Sequence, residues 1–393
     1  MSQDNTNRTA FDRRSVLKAG GIGSVTVLAG CLGGDPTENN NGEGSTVLMD
    51  VEEIPTDEYE EELNVWNWYV QWAEWASESF GEEFDVNPTV EGYSQPSQWF
   101  AQLQSGNHNI DHIGTTGEWA GRASESGFLA EIPVDRLPNW EHLDSNFTDP
   151  IVENLSGENG GVYAVPHSIN VFPALVYNNE YFDSEPDSWD ILWDEEFADQ
   201  MALMVHYASA AGKLGALYTG QDPNDPDDFD EIEEVLINQK DLVVTYASEH
   251  ESHMQSFINE EVILGTHTSG RINIANFSHD ADHVSWTVPE AGSLFGTDSI
   301  VIPADAPHPR ATLNFLNYVI SEDSFREFVN IMNYKVPHED IESLLSDDDR
   351  IDDGLVEAIQ WNDINVDNLY WNGPLDDEVE QRYDEIWTNV QAA

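Results

Sequence analysis

Histidines, carboxylates and one arginine are the side chains of this 393-residue sequence whose spacing could carry chemistry. His250-Glu251-Ser252-His253 falls one residue short of the His-Glu-x-x-His pattern that sets two imidazoles on one helix face around zinc. These histidines can still share a helix face, and His267 lies not far along the chain. A metal site and a solvated helix start both stay open there. His279 and His283, in Ser278-His279-Asp280-Ala281-Asp282-His283, have the form of a metal loop or of a solvated turn. Carboxylate pairs suited to glycoside hydrolysis cannot be singled out where acids stand everywhere. Gly-x-Ser-x-Gly, Gly-x-x-x-x-Gly-Lys-Ser/Thr and Gly-x-Gly-x-x-Gly are all missing, so nucleophile-elbow, P-loop and dinucleotide chemistry have no support. Arg271, in Thr268-Ser269-Gly270-Arg271 at a helix start, can clamp a carboxylate or phosphate through its planar fork. It can equally pair with one of the many surface acids.

Those acids dominate the composition. Asp and Glu number 76 against 14 Lys and Arg, a formal charge of −62. A nucleic-acid binder working through a basic face is excluded. Disorder is not implied, because 13 Trp, 13 Tyr and 16 Phe supply material for cores. The carboxylates spread over nearly every exposed segment, as in Asp57-Glu58-Tyr59-Glu60-Glu61-Glu62, rather than clustering at ligand spacing. That is a solvated surface built for high salt, where a Debye length of ~3 Å at 1 M screens self-repulsion. Lysine is confined to Lys18, Lys213, Lys240 and Lys335, which also fits a halophilic, haloarchaeal host. The lone cysteine excludes an intramolecular disulfide framework and a cysteine-rich metal site.

That cysteine belongs to an address. Asp12-Arg13-Arg14-Ser15-Val16-Leu17-Lys18 resembles a twin-arginine export motif. The apolar, Gly-rich stretch from Ala19 to Gly30 is too short to span a bilayer. It ends in Leu28-Ala29-Gly30-Cys31, a lipobox that predicts cleavage before Cys31 and lipid on its thiol, with residues 1–30 as the signal. Residues 31–58, rich in Gly, Asn, Glu and Thr, read as a flexible tether. The expected location is the outer face of the cell membrane, with the membrane engaged through the lipid anchor only.

The elements behind the candidate residues alternate short apolar runs with amphipathic segments, an α/β pattern. Leu63 to Trp68 reads as a strand, Trp72 to Phe80 as a helix and Phe84 to Val90 as a strand. A helix over Ser97 to Leu103, a strand over Asp111 to Thr116 and a helix over Glu118 to Ser126 follow, a βαβαβα start. The strand-rich stretch Tyr163 to Tyr177 carries the chain into a second lobe. The predicted arrangement is two α/β lobes with a hinged cleft, crossed more than once. Lobe 1 is expected over 59–165 plus 298–350, and lobe 2 over 166–297 plus 351–393.

From residue 62 onward the chain resembles the spermidine/putrescine-binding proteins of ABC importers, within the class of two-lobed periplasmic-type solute-binding proteins. Leu63-Asn64-Val65-Trp66-Asn67-Trp68 is similar to that family's opening strand. Asp187-Ser188-Trp189-Asp190-Ile191-Leu192-Trp193 and the run to Met204 are similar to its Ser-Trp-x-x-Leu-Trp segment. The longest match runs through Trp286-Thr287-Val288-Pro289-Glu290-Ala291-Gly292, Thr297-Asp298-Ser299-Ile300-Val301-Ile302-Pro303 and Tyr334-Lys335-Val336-Pro337.

The resemblance implies a cleft binder that closes on its solute, docks on a membrane permease, catalyses nothing and needs no cofactor or metal. It places a cleft tryptophan at Trp68, an amine-binding aspartate at Asp298 and a cleft tyrosine at Tyr334. It also puts polar cleft positions at Thr116 and Asn372. The departures are as informative. The family's paired acids fall on Tyr207 and Ala210, two of its tryptophans on Thr268 and Gly296, an aromatic on Glu118 and a small polar residue on Arg271. Val70 and Gln71 replace an acid and an aromatic. The expected solute is a small polyamine-like cation. The second candidate pairs an amine at Asp298 with an acid group at Arg271. A tyrosine pair for iron is absent. The chain is expected to act as a monomer. Rival readings are a secreted carboxylate-pair hydrolase and a sensor lipoprotein. Asn146, Asn154 and Asn276 head glycan-acceptor triplets.

Overall fold

The computed structural model describes residues 48–51, 60–346, 348–362 and 364–393. The export signal, Cys31 and most of the tether lie outside them. Two sheets organise the described residues. The first contains β1 (Glu62–Asn67), β2 (Asn87–Gly92), β3 (His112–Thr116), β4 (Val165–Val171), β10 (Ser293–Val301) and β11 (Leu369–Trp371). Its order is β11-β10-β3-β1-β2, with β4 also paired to β10. The second holds β5 (Ala174–Asn178), β6 (Met201–Met204), β7 (Val243–Ala247), β8 (Leu264–His267) and β9 (Val284–Thr287), in the order β7-β6-β8-β5-β9. The α/β, two-lobed expectation holds.

Helices cover both sheets. Around the first lie α1 (Val70–Phe84), α2 (Pro96–Ser105), α3 (Gly117–Glu125), α4 (Ser145–Asn154), α9 (Pro309–Val319), α10 (Glu322–Met332), α11 (Ile341–Leu345) and α12 (Asp353–Gln360). Around the second lie α5 (Ala208–Thr219), α6 (Phe229–Lys240), α7 (His250–Ile258) and α8 (Ser269–His279). The last helix, α13 (Asp377–Ala392), packs on α5 and α6. Helix α1 shows how pattern becomes packing. Trp72, Ala73, Ala76 and Phe80 recur at helical spacing and form its buried face. Phe84, expected to open a strand, extends that stripe instead. Its ring lies 4.6 Å from Phe80, and β2 starts only at Asn87.

The chain changes sheet later than the local pattern suggested. β4 pairs with β10, so the first crossing falls at Phe172 and Pro173 rather than after residue 165. On return, the first sheet takes all of β10 from Ser293 and also β11, which moves residues 369–371 out of the second lobe. Sheet membership is set by a hydrogen-bonding partner far off in sequence, and that is invisible to alternation along one strand. The sequence reading also passed over α4, β9, α11 and α12.

Candidate functional site

Strand ends build the first wall of the site. β1 and β3 run parallel, and the residues following their C-terminal ends face the crevice where α/β proteins hold ligands. After β1 come Trp68 and Tyr69, with the Asn67 side chain accepting from the Tyr69 amide at 2.8 Å to shape the turn. After β3, the Thr116 hydroxyl caps α3 at Trp119 N (3.4 Å), and Glu118 sits in that helix's first turn. β10 runs antiparallel between β3 and β4, setting Asp298 opposite Thr116 on one side and Ser168 on the other. Its register with β4 shifts between Asp298 and Ser299, the kind of irregularity that re-aims a side chain.

Asp298 is the electrostatic centre of this wall. Its Oδ2 accepts from Tyr69 Oη at 2.5 Å, Ser168 Oγ at 3.1 Å and Asn170 Nδ2 at 3.3 Å. Burial pushes its carboxyl up to about 6, against the lowering effect of the Tyr69 and Ser168 bonds and the Arg271 charge. Aromatic rings surround it. Tyr69 makes edge contacts with Trp68 (5.9 Å) and Tyr334 (5.6 Å), and Trp68 also leans on Tyr93 (5.6 Å). Tyr334, only 3% exposed, therefore lies at the site rather than remote from it. No heavy atom lies within 4 Å of where a Gly296 side chain would begin, so the position where the resemblance expects a tryptophan is open.

The second wall repeats the scheme with different chemistry. Tyr207 follows β6 as the residue before α5, and Thr268 and Arg271 follow β8 at the start of α8. The Tyr207 hydroxyl accepts from Asn372 Nδ2 at 3.2 Å. Asn372 Oδ1 accepts from Lys213 Nζ at 2.5 Å. Lys213 is 2% exposed, and burial pulls its ammonium down to about 8 while Glu118 pulls the other way. Arg271 makes an ion pair with Glu251 at 3.6 Å and lies beside Tyr334, which together with Tyr69 and Glu251 pushes the guanidinium pKa further up against burial. Gly270 lets α8 approach this closely: a Cβ there would fall 2.6 Å from both Asn170 Oδ1 and a Tyr334 ring carbon.

Behind Arg271 the second lobe gathers imidazoles. His253 and His267 stack at 5.0 Å, His250 lies 5.5 Å from His267, and His206 lies 5.0 Å from His250. The helix-start histidines are thus packed rather than solvated; His253 and His267 are buried. Burial lowers all four, His250 to about 4. Backbone groups take two ring nitrogens of His267 and one of His253. Among the described residues no group of three or more His, Cys, Asp or Glu is arranged to hold a metal ion.

Comparison with known proteins now decides the family. The profile described as "Bacterial extracellular solute-binding protein" matches residues 75–342. The chain belongs to that family. This solute-binding protein is 23% identical over 336 residues to spermidine/putrescine-binding periplasmic protein 1 of Haemophilus influenzae, covering 84% of this chain and 88% of that one. It is 22% identical over 289 residues to a putrescine/agmatine-binding protein of Pseudomonas aeruginosa, covering 69% and 77%. Its fold is similar to that of a spermidine/putrescine ABC transporter substrate-binding protein from Streptococcus pneumoniae. The TM-score there is 0.72 at 17% identity, covering 85% of this chain and 99% of the other. Family members capture small solutes outside the cell for delivery to a permease and are not enzymes. Both rivals, the hydrolase and the sensor, lose support. No helix among the described residues of the solute-binding protein is long and apolar enough to cross a membrane.

Trp68, Thr116, Glu118, Tyr207, Arg271, Asp298, Tyr334 and Asn372 thus fall on or beside the two walls. Tyr69, Ser168, Asn170 and Lys213 were missed. Lys213 left a signal, being the one charged residue in the apolar helix ASAAGKLGALYT. Ser168 and Asn170 left none, because only pairing with a strand some 130 residues away brings them to Asp298.

Proposed function

We propose that this protein is the lipid-anchored capture component of an ABC importer and that it takes an amine-bearing solute between its lobes. The carrying observation is Asp298, a carboxylate set among Tyr69, Trp68 and Tyr334 whose hydrogen bonds among the described residues come from neutral donors, with Arg271 acting on it without an ion pair. Keeping such a group ionised in a partly buried place costs stability, and a bound ammonium offsets that cost as a charge-assisted partner. The ring faces suit the adjoining methylenes and the cation itself. Polyamine recognition by the curated relatives supports an amine as first candidate. Trp68, Thr116, Tyr207, Tyr334 and Asn372 would line the cleft and Glu118 would face the solute from α3. Solute binding favours the closed state to the extent that it touches both walls.

In this reading Cys31 carries the lipid, residues 31–58 give reach from the membrane, and the acidic chain works as a monomer in a halophilic, haloarchaeal setting. A thermal-shift screen at molar salt tests the solute class against polyamines, amino acids and organic anions. A ligand at about 100 times its Kd stabilises by about 2.7 kcal/mol. Stabilisation by organic anions alone, with Asp298→Asn neutral, would sink the amine assignment. Release of Cys31→Ala protein into the medium tests the anchor.

A further inference from the structure

Among the described residues two lysines are buried, Lys213 and Lys335, and their surroundings differ. Lys335, 6% exposed, donates to the Ile359 carbonyl at 3.0 Å and sits over the rings of Phe147 (5.5 Å) and Trp361 (5.1 Å). A carbonyl and two π faces are reasonable compensation for a desolvated ammonium. Lys213 has less. Its three N–H donors make one hydrogen bond, to Asn372, and among the described residues no carboxylate forms an ion pair with it. Glu118 exerts an attraction from beyond ion-pair distance. Arg271, the cation that the sequence singled out, is by contrast already engaged by Glu251 and Tyr334.

The groups next to Lys213 are also oriented as donors. Because the Tyr207 hydroxyl accepts from Asn372, its own proton is left to give, and burial raises its pKa so that it stays protonated. The resemblance places an acid at this position in polyamine binders; a phenol there turns an acceptor into a donor. Asn372, which bonds both Lys213 and Tyr207, donates its own backbone amide to the Phe295 carbonyl at 2.8 Å, on the strand β10 that carries Asp298 three residues further on. A diamine anchored at Asp298 would bring its second ammonium toward a buried cation of like charge. A carboxylate there would supply the counter-charge that the protein omits.

We infer that the solute carries an acid group as well as an amine, an amino acid with its ammonium at Asp298 and its carboxylate on Lys213 Nζ and Tyr207 Oη. This deepens the amine reading of Asp298 and rests on it. The test is calorimetry on the wild-type chain at molar salt. Its probes are ω-amino acids from 4-aminobutanoate to 6-aminohexanoate, their uncharged amides and the diamines of matching length. One amino acid should bind at least about tenfold more tightly than its own amide and its matching diamine. Lys213→Met should abolish the preference for the acid over its own amide. Equal binding of acid and amide, tighter binding of the diamine, or a Lys213→Met variant that still prefers the acid would each overturn the inference. If Lys213→Met does not fold, the acid-to-amide ratio on wild-type protein decides alone. Diamine binding lost in Asp298→Asn leaves the amine reading standing while the acid group falls. Binding of no probe, or binding indifferent to Asp298→Asn, removes both.

Discussion

The two walls of the cleft have the same architecture and opposite chemistry. Each is made by residues following the C-terminal ends of parallel strands, β1 and β3 in one lobe, β6 and β8 in the other. The first presents carboxylates, Asp298 and Glu118, among aromatic rings. The second presents Lys213, Arg271 and a packed set of histidines. In a chain of formal charge −62 such a basic face is not a sample of the average surface. On the proposed reading, the acidity of the exterior answers to the solvent, whereas the sign of charge at these buried positions answers to the solute. Screening over a few ångströms at molar salt separates the two roles physically.

The comparison breaks most severely if Asp298 is not the ionic anchor of the first wall. Asp298→Asn should cost about 1.5–3 kcal/mol of amine affinity, roughly ten- to a hundredfold, by calorimetry at pH 7. Wild-type affinity should also fall as pH drops through about 6, where this carboxyl takes up its proton. The effect on folding has the opposite sign. The native group titrates at about 6 and its ordinary value is 3.8, so between these values the native state holds a proton that the unfolded chain has released. Stability therefore declines on this account as pH rises from 3.8 to about 6. Asp298→Asn should lack that decline in denaturant titrations, which makes the variant a better folder and a poorer binder at neutral pH.

Gly270→Ala tests the place where the two walls meet. The added methyl would push on Asn170 and Tyr334, with an expected loss of about 1–3 kcal/mol in unfolding free energy and weaker binding besides. A variant as stable as wild type would show that α8 has room to withdraw.

Lys213→Met asks whether the basic wall is costly to the empty fold. With its pKa pulled down to about 8, Lys213 is charged in both states at neutral pH and destabilises the native one. That burden lifts as pH rises from about 8 to 10.5, because the unfolded chain then holds the extra proton. The methionine variant should be about 1 kcal/mol more stable at pH 7, and should not gain stability across the alkaline range as wild type does.

Arg271→Ala is expected to do least. Its Glu251 partner is largely exposed, and such pairs contribute about 0.2–1 kcal/mol. Affinity within a few-fold of wild type would sharpen the contrast with Lys213; a collapse in affinity would return the anionic subsite to Arg271.

Much of this protein was written locally. Alternation set Trp68 and Thr116 at the ends of strands and Arg271 at a helix start, while the family resemblance singled out Tyr207. Type and spacing alone predicted two α/β lobes, and the similarity of a few segments pointed to the family. The surface charge was likewise a matter of counting. What tertiary structure decided was partnership. Asp298 gains Ser168 and Asn170 only through the β4–β10 register, and Phe84 joins a helix because its ring meets Phe80. Three cations, Lys213, Arg271 and Lys335, look alike as letters. Folding satisfies Lys335 with a carbonyl and two rings and Arg271 with a glutamate, and leaves Lys213 buried with one amide oxygen. The reason is that desolvation and pairing depend on groups far apart in sequence, which only the packed chain brings within a few ångströms.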